Sequence, residues 1–302
     1  MGGTGALLGA MTGCTRDPAP ELARIVVATG PPGAVYREIG GAIARLLDEH
    51  FANQEVITVE TGASHDNLLL LASGDADLGL ANLDSILATD VTSEESTISS
   101  VGRLYDSFVH LVVPADSSVR RLADVEGLPV SLGEVNSGTE FTAEQIIDVT
   151  AVRPQEVRLD QADSAAALAS GDIDAMFSLT GIPTPAIADL AEERPLRLVD
   201  LSDTADAMVS AYPEAYFPAT IPATTYAGVP ACPTMSVPNL LLCRKDLPEE
   251  FVRQVTETVY TGAARLAEQR PEAAQINVRT GISTGVVPLH PGAQEWYREN
   301  KP

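Results

Sequence analysis

Lysine is almost missing from this chain. Of 302 residues only Lys245 and Lys301 are lysine, and Lys and Arg together number 19 against 42 Asp and Glu. The formal charge of −23 at pH 7 repels polyanions and anionic lipid headgroups, which argues against nucleic acid as a partner. Histidine is scarce as well: His50, His65, His110 and His290 sit in unrelated contexts, without HExxH spacing or any paired-ligand pattern. No GxGxxG turn or GxxxxGK loop occurs, so nucleotide-binding readings fail on the residues themselves. DxDxDG-type oxygen clusters are missing, so calcium is not expected. No apolar run approaches the roughly 18 residues of a membrane span.

What remains is an ordinary globular composition, 45% hydrophobic and 20% charged, long enough for two lobes with their own cores. The first residues, MGGTGALLGAMTGC, are short, apolar and end in small residues before a cysteine. This resembles the end of a bacterial lipoprotein signal in which Met11, Thr12 and Gly13 precede a lipid-modified Cys14; the alternative is an N-terminal tail without that role. The other cysteines are Cys232 and Cys243. Eleven extended residues span roughly 36 Å, so a bridge between them needs a turn near Pro233 or Pro238; otherwise they are two separate buried thiols.

A repetition organises the chain. LASGDAD at residues 71–77 returns as LASGDID at 168–174, each copy preceded by a helical segment and followed by an apolar run. Gly74 and Gly171 suit the left-handed position that ends a helix, and Asp75 and Asp172 suit the turn. Strands are expected at 25–29, 56–60 and 78–82, with helices between them from Val35 and from Asp66 to Ser73. The second half repeats the scheme with PVSLG at 129–133, a helix from Thr139 to about Val149, EVRL, a helix ending at Ser170, and IDAMFSL; LRLV at 196–199 adds a strand. This is an α/β architecture of two parallel-sheet lobes. FVHLVVPADSS and ACPTMSVPNLLLCRKDL read as crossings between them, and the helical C-terminal part is expected to return and cover the first lobe. The expected division is a leader segment 1–24, a first lobe of 25–113 plus 236–302, and a second lobe of 114–235.

Ligands of open parallel sheets bind beyond the carboxyl ends of the strands, which directs attention to three loops of small and hydroxyl residues. The first, with Thr29, Gly30, Gly33, Val35 and Tyr36, opens the first helix. The second carries Thr61, Ser64 and Asn67, and the third Ser137, Gly138 and Thr139. Helix N-termini favour anions through free N–H groups and the aligned dipole, but Ser, Thr and Asn there also serve as plain caps, and both readings stand for each loop. Asn82 and Asp84, and Gly181 and Pro183, follow the strands of the two echoes and end at the cleft edge. An enzyme on this scaffold has only His65, Asp84 and Glu140 as candidate acid or base.

TGPPGAVYREIGGAIA, TGASHDNLLLLASGDADLGLANLD, NSGTE, SGDIDAMFSLTGIPTPAI and PLHPGAQEWY occur in this order between Ile25 and Tyr297. Together they resemble the solute-binding subunits of TRAP transporters of the TAXI type. The resemblance implies a type II periplasmic-binding-protein fold that closes on a small carboxylate or amino acid of the glutamate, glutamine and 2-oxoglutarate class. It also implies a membrane-embedded, ion-gradient-driven TRAP permease as partner, and no cofactor, metal or catalysis. It assigns the first ligand loop to Thr29, Gly30, Gly33, Val35 and Tyr36, the second to Thr61, Ser64 and Asn67, and that of the second lobe to Ser137, Gly138 and Thr139. The chain departs from the pattern at Pro31, Pro32, Arg37 and Glu38. A receptor for an ABC importer is the alternative that the fold alone allows.

Overall fold

The run RIVVA (Arg24–Ala28) forms β1, and the helix that follows, α1 (Val35–His50), buries Val35, Ile39, Ile43 and Leu47 on one face while its other face meets water. Gly40 lets that helix approach β1 closely, since a Cβ there would lie 2.5 Å from the Thr29 methyl. The computed structural model describes residues 22–32, 34–89 and 95–300. The expectations for Cys14, for Gly33 and for nearly all of the 1–24 segment lie outside these residues.

The chain continues through β2 (Glu55–Val59), α2 (Ser64–Ser73), β3 (Leu78–Asn82) and the short α3 (Leu83–Leu87). β1 pairs in parallel with both β2 and β3, the expected β-α-β-α-β unit. The second half repeats it: β5 (Pro129–Ser131), α4 (Gly138–Thr150), β6 (Gln155–Val157), α5 (Gln161–Ser170) and β7 (Ala175–Thr180), with β5 parallel to β6 and β7. β3 and β7 are buried along their whole length, which explains why both read as continuous apolar runs and not as alternating patterns.

The two echoes fold alike. Gly74 and Gly171 end their helices at φ +82° and +84°, and Ser73 and Ser170 each donate to the carboxylate two residues on, Asp75 and Asp172. In both copies the acidic turn hands the chain straight to a buried strand, β3 or β7.

Two long strands join the halves. β4 (Ile98–Pro114) pairs with β10 (Cys232–Arg244) along Ile98–Phe108, then with β7 along Phe108–Val112, and β10 lies antiparallel between β3 and β4. The result is one ten-stranded sheet in the order β2-β1-β3-β10-β4-β7-β5-β6, with β8 (Leu196–Leu198) on β4 and β9 (Phe217–Ile221) on β10. The β10–β4 register shifts between Pro238 and Leu240 and again between Leu241 and Leu242, where Pro238 has no N–H to offer the ladder.

β10 also decides the cysteine question against a bridge. Cys232 and Cys243 are free, buried thiols near opposite ends of one strand, because Pro233 and Pro238 stay extended instead of turning. Burial pushes the Cys232 thiol up to about 11 and that of Cys243 higher still.

Helices cover both faces. α6 (Pro185–Glu193) and α7 (Ser202–Ala211) belong to the second half, while α8 (Glu249–Thr261), α9 (Ala263–Gln269), the short α10 (Val278–Gly281) and α11 (Pro291–Asn300) return to the first. There Phe251, Val255, Val259 and Trp296 join Ile39, Ile43 and Leu47 of α1 in one core. Each such side chain fully removed from water contributes about 1.5 to 3 kcal/mol, so the C-terminal helices are part of the first lobe's core.

Candidate ligand-binding site

A cleft of about 530 Å³, counted out to the solvent, lies beyond the carboxyl ends of the parallel strands. The first half contributes Pro31, Ala34, Val35, Tyr36, Gly62, Ala63 and Asn82. The second contributes Gly133, Glu134, Ser137, Gly138, Thr139, Leu159, Asp160, Gln161, Ser164, Phe177, Leu179 and Thr180.

The halves touch at the start of α4. A Cβ on Gly138 would lie 2.9 Å from Asn82 Oδ1 and 3.0 Å from Ser64 Oγ, and one on Gly62 would lie 3.4 Å from the Val135 carbonyl. Glycine at position 138 therefore permits this approach, which is a closed arrangement. Behind the contact runs a hydrogen-bonded floor: Ser64 Oγ donates to Asn82 Oδ1, Asn82 Nδ2 donates to Asn239 Oδ1, and Tyr36 donates its hydroxyl to the same oxygen. Asn239 lies in β10 at the register shift, and it in turn donates to the Tyr105 carbonyl and to Ser107 Oγ on β4. Burial holds the Tyr36 hydroxyl well above its ordinary pKa, so it remains a donor.

Of the residues singled out from sequence, Val35, Tyr36, Asn82, Ser137, Gly138 and Thr139 face the cleft. Ser64 sits one bond behind Asn82. Thr29, Thr61 and Asn67 instead hold the fold. Asn67 Nδ2 donates to the carbonyls of Thr29 and Leu80, its Oδ1 accepts from Thr61, and Thr29 donates to the Val59 carbonyl. Their donors are consumed by strand-end carbonyls, that of Thr29 accepting from both Asn67 and Thr61. Gly30 is packed on Tyr36, a Cβ there meeting the tyrosine Cβ at 2.7 Å. Gly181 packs against Glu272, Tyr105 and Val35, and Pro183, after a cis peptide bond, offers its carbonyl to Arg270.

Asp84 bridges the halves away from the cleft. Its Oδ2 accepts from Thr142 at 2.5 Å and from Tyr216 at 2.8 Å, and its Oδ1 from the Ser85 N–H. Burial raises its pKa, with these donors acting the other way. His65 is exposed on α2, and Glu140 is tied to Arg158 at 2.5 Å and to the Asn136 N–H. None of the three candidate acid–base groups lines the cleft.

Ser137 caps α4, accepting from the Glu140 N–H, while Thr139 accepts from the Leu179 N–H and so fastens the helix start to β7. The first N–H groups of a helix have no partner inside it, so those of Gly138 and Thr139 are the donors that this 13-residue helix presents to the cleft.

Sequence reading missed the loop Leu159–Ser164. In the register set by LASGDAD and LASGDID, Ser64 and Asn67 answer to Gln161 and Ser164, so the echo already held the signal. Glu134 was overlooked as well, because it lies in an irregular turn before α4, next to Asn136 at φ +64°. Burial, then Asp160, Asp66 and Glu60, push the Glu134 carboxyl above its ordinary pKa.

Among the described residues no His, Cys, Asp or Glu group is arranged to hold a metal ion, and no helix is long and apolar enough to cross a membrane.

Two α/β halves joined by shared strands, with a cleft at the strand ends, define the type II periplasmic-binding-protein fold. The chain belongs to the NMT1-like family, whose profile matches residues 27–300. Its fold is similar to that of the alkanesulfonate-binding protein SsuA from Xanthomonas axonopodis pv. citri bound to MOPS, with TM-score 0.53 and 19% identity over 94% of this chain and 86% of the other. The periplasmic aliphatic sulphonate binding protein SsuA from Escherichia coli is similar with TM-score 0.52 and 16% identity over 93% and 80%. The substrate-binding protein of an amino acid ABC transporter follows with TM-score 0.51 and 14% identity over 85% and 98%. At these identities the likeness is one of fold.

Proposed function

We propose that this chain is an extracytoplasmic solute receptor that captures a small organic carboxylate of the glutamate, glutamine and 2-oxoglutarate class. It delivers the solute to a membrane-embedded, ion-gradient-driven permease of the TRAP type. The observation that carries the reading is the N-terminus of α4, which opens into a cleft closed over it by Asn82 and Ser64. Charge-assisted hydrogen bonds there contribute about 1.5 to 3 kcal/mol each, enough for a few to support micromolar binding. Binding selects the closed arrangement, and opening bends β4 and β10 between a first lobe of 25–113 plus 236–302 and a second of 114–235. Cys14 serves as the lipid anchor in this reading.

Calorimetry with glutamate, glutamine and 2-oxoglutarate, together with mass spectrometry of what co-purifies, tests the solute class. Absence of binding by any carboxylate sinks it. The fold similarity to ABC receptors keeps one second reading, delivery to an ATP-driven importer. Reconstitution with the cognate permease separates the two: uptake that needs ATP and no ion gradient selects the second. Catalysis is not proposed, since His65, Asp84 and Glu140 are engaged elsewhere or exposed.

A further inference from the structure

The cleft carries carboxylates and no basic side chain among its lining residues. The guanidinium groups next to the lining segments in sequence are already matched: Arg37 pairs with Glu60 at 3.0 Å, and Arg158 is shared by Glu140, Glu144 and Glu156. A doubly anionic solute would meet Glu134 and Asp160 with nothing but helix dipoles to offset them. Two acceptor oxygens in the lining are buried and lack a partner, Glu134 Oε2 and Gln161 Oε1. Acceptors left in that state call for donors, and a buried carboxylate oxygen is satisfied best by a cationic N–H. Glu134 also sits in the turn that starts α4, where its carbonyl accepts from the Ser137 N–H at 3.0 Å. A positive and a negative subsite are thus set side by side in one turn.

We propose that the solute carries a protonated amine, received by Glu134 and Gln161 with Asp160 beside them, while its carboxylate rests on the N-terminus of α4. This rests on the carboxylate reading above and narrows it: amino acids fit, and their 2-oxo counterparts do not. Asp160 spends Oδ1 on capping α5, accepting from the Asp163 N–H at 2.7 Å, which leaves its other oxygen for the amine. Burial pushes the Glu134 carboxyl up first, and Asp160, Asp66 and Glu60 add repulsion to it; a paired ammonium group acts against both.

The experiment is calorimetry on the full chain with the standard amino acids, the 2-oxo acid matching each amino acid that binds, and putrescine as an amine without a carboxylate. The expected result is that the amino acid binds at least about tenfold more tightly than its 2-oxo acid, the scale of a lost charge-assisted bond. Glu134→Gln should shrink that ratio by weakening the amino acid and strengthening the oxo acid, with thermal unfolding unchanged. An oxo acid that binds as tightly as its amino acid, with the ratio unmoved in Glu134→Gln, overturns the amine proposal and leaves the carboxylate reading standing. Putrescine binding in the absence of any carboxylate binding does the reverse. Failure of every probe overturns both.

Discussion

The turn Thr61–Asn67 of the first half and its counterpart Leu159–Ser164 in the second come from one pattern and do different work. In the first, the amide of Asn67 is long enough to reach two carbonyls, Thr29 and Leu80, and it takes Thr61 with it. In the second, Ser164 reaches only Ser131 Oγ and the Leu159 carbonyl, and Gln161 keeps a buried oxygen without a partner. A repeated scaffold need not carry repeated chemistry. One copy closes its own polar groups and becomes cover, while the other leaves them open and faces the cleft.

The largest effect that would test this difference is Asn67→Ala, which removes the side-chain donor of the Leu80 carbonyl and leaves the Thr29 carbonyl to Thr61 alone. It should cost about 4 kcal/mol of stability in urea unfolding, whereas Ser164→Ala costs about 1. Equal costs would break the comparison.

Acid should act next, and on the second half. His110 on β4 is held neutral by burial, its pKa lowered to about 4, with Nε2 accepting from Tyr226 and Nδ1 facing the Phe108 and Ser178 carbonyls. The unfolded chain binds this proton more readily than the folded one, so the contribution of His110 to stability is complete above about pH 6.5 and is lost as the pH falls toward about 4. The loss should reach about 3 kcal/mol, visible in melting temperatures across that range, and His110→Gln should flatten it.

Gly138→Val comes third. Its side chain would strike Asn82 and Ser64, so affinity should fall about thirtyfold, or about 2 kcal/mol, and scattering should show no compaction with solute. The smallest effects are Gly74→Ala and Gly171→Ala, each about 1 kcal/mol for forcing a left-handed φ on a side chain. These two should match, because there the copies are alike.

Local pattern made much of this legible. The strand at 25–29 is β1, the helix from Thr139 to Val149 is α4 within a residue or two, and the echo marks both helix ends. Which hydroxyls face the cleft was not legible, because that depends on which strand-end carbonyls need a donor, a matter settled only once β1, β3 and α2 are packed. Thr29 and Asn67 look like ligand residues for the same reason that they are good clasps: both sit where a strand stops and a helix begins. Likewise, Pro233 and Pro238 suggest a turn, yet β10 carries them in extended backbone because its neighbours β4 and β9 hold it straight.

The place of β10 also dictates an order of assembly. β3 and β4 have no ladder between them until Cys232–Arg244 has been synthesised and inserted, and α8 and α11, which cover α1 and β4, come later still. The second half can close its parallel unit on β4 beforehand, since β7 pairs there directly. The half that emerges first is therefore the half completed last, and a nascent chain shorter than Cys232 leaves the edges of β3 and β4 open to other chains.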